Sequence, residues 1–167
     1  MTTVALVIKA VGDFLKPIMP ANISIAKGQQ NNVPMMPAPL LVMTPIGMPQ
    51  YTTTRMSLDS TAGKMAYDMP KILKLQMDFY GKDAGEMSNR AATMLRSLYA
   101  SEQFPEGIFP LYCDDAIQSP LTTAEKQYED RWTTTLSLQY NSPVLINQES
   151  FNALGEVNAD PTNVTTP

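Results

Sequence analysis

Acidic side chains and one cysteine are the groups in this sequence that could do chemistry. Asp114 and Asp115 are adjacent carboxylates, which could in principle bind a hard cation. A calcium or magnesium site needs further oxygen ligands at defined spacing, and the surrounding sequence offers none. We therefore interpret this acidic pair as part of a solvated turn ahead of Pro120.

The single cysteine, Cys113, lacks the partner that would make it a nucleophile. The chain contains no histidine, so no imidazole can lower the pKa of the thiol. The same absence removes Ser-His-Asp and Cys-His catalytic systems and the common zinc-finger patterns. We predict that Cys113 is a small buried hydrophobic residue, and one cysteine cannot form an intrachain disulfide.

Paired carboxylates are the one enzymatic arrangement that the composition leaves open. Glu125, Glu129 or Asp130 could act with Asp78 as acid and base, although nothing in their spacing fixes that geometry. No glycine-rich cluster is followed by Lys-Ser or Lys-Thr, so a phosphate loop is absent from the sequence. We predict a protein that is not an enzyme and has no catalytic residue, cofactor or metal ion.

Charge and composition limit the possible partners. The chain has 12 basic and 16 acidic residues, a net charge of −4, which argues against a nucleic-acid-binding patch. No apolar run is long enough to span a bilayer, so no membrane partner is expected. Charged residues make up only 17%, and there are 14 prolines. That composition fits a surface covered by other subunits, and equally a monomer with a polar uncharged surface.

Methionine is unusually frequent, with 12 residues, and seven of these cluster between residues 35 and 69, around loops and strand ends. Flexible methionine side chains suit adaptable contact surfaces. Ordinary core packing explains them equally well, so both interpretations stay open. The seven are Met35, Met36, Met43, Met48, Met56, Met65 and Met69.

Two helices are predicted from apolar residues at helical spacing. The first covers residues 4–15 and stops at Pro17. The second opens at Asp83, with Glu86 three residues on in a pattern that resembles a capping box. Arg90 and Arg96 are expected to face outward. The apolar stripe of this second helix comprises Ala84, Met87, Ala91, Met94, Leu95 and Leu98.

Strands are predicted where apolar and polar residues alternate. Residues 72–80 are the clearest case, and 129–140, 40–46 and 51–59 follow. Residues 60–70 are expected to form a long hairpin tip, and 100–125 a loop with short extended pieces. The predicted fold is α+β: a mixed, mainly antiparallel sheet of four to five strands, with a central helix packed on one face and an N-terminal helix. One domain would cover residues 1–146, and a polar extended tail residues 147–167.

Three stretches carry a resemblance to a known family. They are LKLQMDFYG (73–81) leading into Asp83-Ala84; MLRSLYA (94–100) with Phe104 and then PLYCDD (110–115); and EKQYEDRWTTTLSLQYN (125–141). In this order and spacing they resemble the neck terminator family of long-tailed bacteriophages, over roughly residues 1–145. The combination of DFYG with Arg131-Trp132 and LQYN is the most specific part. The tail after Asn147 is not accounted for by this resemblance.

The resemblance implies a structural virion protein, made in the host cytoplasm and located in the neck at the head–tail junction. Such terminators cap the tail tube and sheath and join them to the head–tail connector, usually as a homohexameric ring around the DNA channel. Expected partners are therefore the chain itself, tail tube and sheath proteins, and connector or adaptor proteins. Genome DNA would pass without sequence-specific binding, which suits a mildly acidic chain. The contact regions expected are residues 60–68, residues 31–39 and the tail.

Two other classes remain as alternatives. One is a different virion component, either a head-completion protein or a tail-tube protein, which would form stacked rings. The other is a small enzyme built on Asp78, Asp114 and Glu129. Clustering of these three carboxylates in one pocket would favour the enzyme, and their dispersal would argue against it.

Overall fold

The computed structural model describes residues 2–29, 36–59, 63–119, 121–122 and 128–147. The helices are α1 Val4–Leu15, α2 Ala84–Leu95 and α3 Leu98–Gln103. The strands are β1 Ser24–Lys27, β2 Leu40–Gly47, β3 Arg55–Asp59, β4 Lys64–Asp68, β5 Lys71–Tyr80, β6 Ile108–Cys113, β7 Ile117–Gln118, β8 Leu121–Thr122, β9 Tyr128–Glu129, β10 Arg131–Tyr140 and β11 Val144–Asn147.

The main sheet is built around β5, the strand that the sequence marks most clearly. Its order is β1-β2-β5-β10-β6, with β7 pairing with β10 as a sixth strand. The pairing of β1 with β2 is parallel, and the others are antiparallel. The predicted α+β fold with a mixed, mainly antiparallel sheet is confirmed.

One face of this sheet packs against the helices. Leu73, Leu75, Met77 and Phe79 alternate along β5 and are fully or almost fully buried, as the period of two predicts. Helices α1 and α2 contribute their apolar stripes to the same core. α1 begins at Thr3, whose Oγ1 accepts a hydrogen bond from the amide of Leu6 at 3.4 Å. The predicted packing of a central helix on one sheet face follows from these stripes.

The second helix departs from the sequence prediction at both ends. Asp83 precedes α2 but makes no side-chain capping bond, so the proposed capping box is wrong. The helix stops at Leu95, because Ser97 adopts an extended conformation and caps the separate helix α3 by accepting a hydrogen bond from the amide of Ala100. Leu98 therefore does not belong to the buried stripe of α2, and 75% of it is exposed.

A second sheet, here called the arm, was not predicted as such. It consists of β11, β4 and β3 in that order, all antiparallel. Strand β4 lies within the segment 60–70 that was expected to be a hairpin tip, and β3 starts at Arg55 rather than at residue 51. β11 follows Pro143, where no strand was expected. The segment in which Met65 and Tyr67 alternate with other residues forms a strand because β3 and β11 pair with it on both sides.

Several predicted contact regions lie partly or wholly outside the described residues. These are residues 31–35 of the connector, residues 60–62 of the hairpin tip and residues 148–167 of the tail. The domain boundary at residue 146 stays a prediction. Within the described part of the chain, no helix is long and apolar enough to cross a membrane.

Replacing Gly81 with alanine is expected to destabilise the fold by about 2 kcal/mol. Gly81 has φ +115°, which residues with a side chain rarely adopt, and an added Cβ would lie 3.1 Å from Cβ of Ala38. Urea unfolding would measure the loss. The control is Gly47→Ala, where an added Cβ meets nothing within 4 Å. A Gly81→Ala protein as stable as the Gly47→Ala control would contradict this account of the turn.

Candidate functional site

The arm carries a continuous apolar face. In the strand register, Met56 lies beside Tyr67 and Tyr67 beside Val144, while Leu58 lies beside Met65 and Met65 beside Ile146. Side chains at paired positions point to the same side of a sheet, so all six share one face. Four of them are at least half exposed: Met56 64%, Leu58 54%, Val144 50% and Ile146 52%.

The opposite face of the arm is mixed in character. It presents Ser57, Ala66 and Leu145 in one row across the three strands. Arg55 lies beside Asp68 on this face, with 3.7 Å between a guanidinium nitrogen and a carboxylate oxygen. The arm is therefore amphipathic, with one face suited to water and one face suited to burial.

Within the described residues, no other layer covers the apolar face. The strands of the arm make their extensive contacts with one another and not with the helices. A small sheet with an uncovered apolar face is a marginal structure in water and gains stability when that face is buried. An exposed apolar patch of this kind marks a site of contact with another macromolecule.

A second apolar patch lies on the main sheet, at the edge formed by β6 and β7. Its members are exposed to about half or more: Phe109 45%, Leu111 49%, Tyr112 55% and Ile117 67%. Arg96 stacks over the ring of Tyr112 at 5.5 Å. The chain thus has two apolar surfaces at different places, the arm face and this edge patch.

A groove of about 430 Å³ separates α1 from the other edge of the main sheet. Ile8, Gly12, Ile25 and Met43 give it apolar walls. The charged residues along it are Lys9, Asp13, Lys16 and Lys27.

The helix-free face of the main sheet is polar along its central strands, whereas at the β6–β7 edge it carries Phe109, Tyr112 and Ile117, which lie beside Gln139, Ser137 and Thr133. Strand β10 presents Thr133, Thr135, Ser137 and Gln139 there, and β5 presents Lys74, Gln76 and Asp78. The carboxylate of Asp78, only 4% exposed, is fully engaged. It accepts hydrogen bonds from Nε and Nη2 of Arg131 at 3.1 and 2.9 Å, from Thr133 Oγ1 at 2.6 Å and from Gln76 Nε2 at 2.9 Å.

The acidic residues considered for chemistry are held in separate structural roles. Asp78 pairs with Arg131, and Asp130 accepts a hydrogen bond from Gln118. Asp114 and Asp115 are both exposed, as predicted for a solvated turn. Among the described residues, no three His, Cys, Asp or Glu side chains are grouped so that they could hold a metal ion. Glu125 lies outside the part of the chain that the structure describes.

Arg96 is exposed, as the sequence predicted, and its guanidinium also bonds back to the fold. It reaches from the end of α2 to β6, donating to the carbonyl of Cys113 at 2.7 Å and to Asp115 at 2.6 Å. The hydrogen bond with Asp115 raises the pKa of Arg96. Arg90 also bonds back to the fold, through the carbonyl oxygen of Ile18 at 3.2 Å. Both arginines tie the helix to neighbouring segments, which a helical wheel cannot reveal.

The sequence matches the phage neck terminator protein family over residues 5–163, nearly the whole chain. The chain belongs to the phage neck terminator protein family. It is thus a structural virion protein of the phage neck that interacts with other virion proteins. The match continues past residue 145, where the resemblance noted from the sequence ended. No curated protein matches the chain.

Sequence reasoning missed the two features of this neck terminator most suited to assembly. The apolar arm face depends on Val144 and Ile146, which were not assigned to a strand. The three apolar residues after Pro143 were a signal that could have found it. The groove beside β1 depends on how α1 lies across the sheet, and no local pattern encodes that arrangement.

The thiol of Cys113 is expected to be unreactive in the folded neck terminator. Its side chain is fully buried, as predicted, and burial raises the pKa of the thiol above its usual range. Because the thiolate is the reactive form, alkylation by iodoacetamide at pH 8 should be at least about 100-fold slower in the native protein than in urea. Equal rates in both states would contradict this placement.

Proposed function

We propose that this neck terminator forms a closed ring of six copies that caps the tail tube and sheath and joins them to the head–tail connector. The observation that carries this proposal is the uncovered apolar face of the arm. Its six apolar side chains, four of them at least half exposed, favour burial against another copy.

The position of the apolar surfaces favours a ring over a two-fold dimer. The arm face lies beyond one end of the main sheet, and the edge patch with Leu111 and Ile117 lies along β6 and β7. When two different surfaces of one chain meet, the contact is head-to-tail, and repeated head-to-tail contacts close into a ring or continue as a filament. A terminator must close, because it ends the tail.

The helix-free face of the main sheet suits the wall of a DNA channel. Threonine, serine and glutamine side chains predominate on β10, the charge of Arg131 is matched by Asp78, and Lys74 of β5 adds a cation. Phosphates bind to exposed cations and release counterions when they do, so a wall poor in free cations lets DNA slide. Genome DNA would then pass through the ring without sequence-specific binding.

Phage lacking this chain provide the functional test. Electron microscopy of such lysates should show filled heads and separate tails, and supplying the wild-type chain from a plasmid should restore joined particles. Joined, infectious particles in the absence of the chain would contradict the proposal. Tails that fail to form at all would instead indicate a tube protein.

A further inference from the structure

The groove between α1 and β1 ends in an unoccupied strand edge. β1 pairs in parallel with β2 on one side, and the amides of Ser24 and Gly28 donate to carbonyls of Pro39 and Met43 at 3.0 and 2.8 Å. Backbone groups alternate in direction along a strand, so Ile25 and Lys27 direct theirs to the outer edge. Among the residues that the structure describes, no strand pairs with that edge.

An exposed strand edge beside an apolar groove is the arrangement that accepts an extended peptide as an added strand. The backbone of the peptide pairs with the edge, and every second side chain enters the groove. Here Ile25 and Met43 would contact such side chains from the sheet, and Ile8 from the helix. Positive charge predominates around the groove, since Lys9, Lys16 and Lys27 face only one nearby carboxylate, Asp13, which pairs with Lys9 at 2.6 Å.

Residues 148–167 of the same sequence have the complementary chemistry. They contain three acidic residues, Glu149, Glu156 and Asp160, and no lysine or arginine. Phe151 and Leu154 are large apolar residues that would lie on opposite sides of an extended strand, so one of the two would enter the groove. We propose that in the assembled ring this C-terminal segment of one copy adds a strand to β1 of the neighbouring copy and fills its α1 groove. This inference rests on the proposed ring.

The starting point of the segment favours a neighbouring copy as the acceptor. Strand β11 runs from Val144, beside Tyr67, to Asn147, beside Lys64, so the segment starts at the tip of the arm. Strand β4 and part of β5 separate Lys64 from Met77, which lies beside the groove residue Met43. The apolar face of the same arm is the surface proposed to contact the next copy, so the segment begins beside that copy.

Carbodiimide cross-linking tests the proposal with the unmodified full-length chain. The reagent joins a lysine amine directly to a carboxylate, with loss of water, when the two groups are in contact. In a concentrated mixture of ¹⁴N- and ¹⁵N-labelled copies, Lys16 or Lys27 should be joined to Glu149, Glu156 or Asp160 in mixed-isotope peptides. Coupling of Lys9 to Asp13 within one copy is the internal control.

Three results would overturn the proposal. They are coupling of Lys16 and Lys27 to the C-terminal segment only within one copy, their coupling to other carboxylates only, or no coupling of either lysine while Lys9 couples to Asp13. Each excludes the proposed strand between copies.

A charge exchange gives an independent test that does not depend on the reagent. Reversing the three tail acids (E149K, E156K and D160K) should weaken association between copies by about tenfold, because several partly exposed ion pairs become repulsive. Adding Lys16→Glu and Lys27→Glu to the same chain should restore most of the affinity. If adding Lys16→Glu and Lys27→Glu does not restore association, the proposed contact is contradicted.

The two proposals can fail separately. A particle map with a single ring at the neck, together with no cross-links from the groove, would leave the ring intact and reject the donated strand. Cross-links between copies of a chain that the map places elsewhere in the particle would support the donated strand and reject the neck ring.

Discussion

Ile146→Glu is expected to abolish ring assembly while leaving the fold of a single copy intact. Ile146 lies on the apolar arm face, on its edge strand β11, and is 52% exposed. A carboxylate at this position is hydrated in the free copy and desolvated when the face is buried against another copy. That desolvation costs at least about 3 kcal/mol of association free energy. Association between copies should therefore weaken by about 100-fold or more.

The adjacent residue supplies a matched control. Leu145 belongs to the same strand, has a similar exposure of 59% and points to the opposite face of the arm. Leu145→Glu adds the same charge to the same strand and should assemble normally. Plasmid complementation of phage lacking the chain, with thermal unfolding of both variants, makes the comparison. Equal loss of infectivity in both variants, with unchanged stability, would show that the apolar face has no special role.

Asp78→Ala is expected to cost about 3 kcal/mol of stability. Removing this carboxylate leaves the guanidinium of Arg131, whose side chain is 25% exposed, without its ion-pair partner at the start of β10. The hydroxyl of Thr133 and the amide of Gln76 lose an acceptor as well. Denaturant unfolding at neutral pH would measure the loss.

The exposed pair between Arg96 and Asp115 is the control for Asp78. Asp115 has a side chain that is 88% exposed, so Asp115→Ala should cost less than about 1 kcal/mol. Combining Asp78→Leu with Arg131→Met removes both charges together and should recover most of the stability lost by Asp78→Ala. An Asp78→Ala protein no less stable than Asp115→Ala would contradict the structural role given to this network.

The elements that the sequence predicted well are those with a strong local pattern. The period-two alternation of β5 and the helical stripe of α1 place their residues on the sides seen in the structure, because burial of one face decides both. Cys113 and the Asp114–Asp115 pair also lie where their chemistry predicted, one buried and the others exposed.

The elements that were missed depend on partners distant in the chain. β4 contains Met65 and Tyr67 in alternation, but glycine and proline flank it, and it becomes a strand only when β3 and β11 pair with it. The end of α2 depended on one residue, Ser97, whose capping of α3 competes with helix continuation. The partnership of Asp78 with Arg131 required the register between β5 and β10, which no local pattern sets.

For the assembly site, the sequence predicted the family but not the surfaces. A family resemblance on residues 73–141 led to the neck terminator family, which the match over residues 5–163 confirms. The apolar arm face and the α1 groove arise from register and packing, so they became visible only in the three-dimensional arrangement.

The position of the chain in the mature particle tests the central claim most directly. A cryo-electron microscopy map of the virion should show one ring of six copies at the head–tail junction, with the apolar arm face of each copy buried against its neighbour. A map that places the chain in repeated rings along the tail, or shows it absent from the neck, would contradict the account.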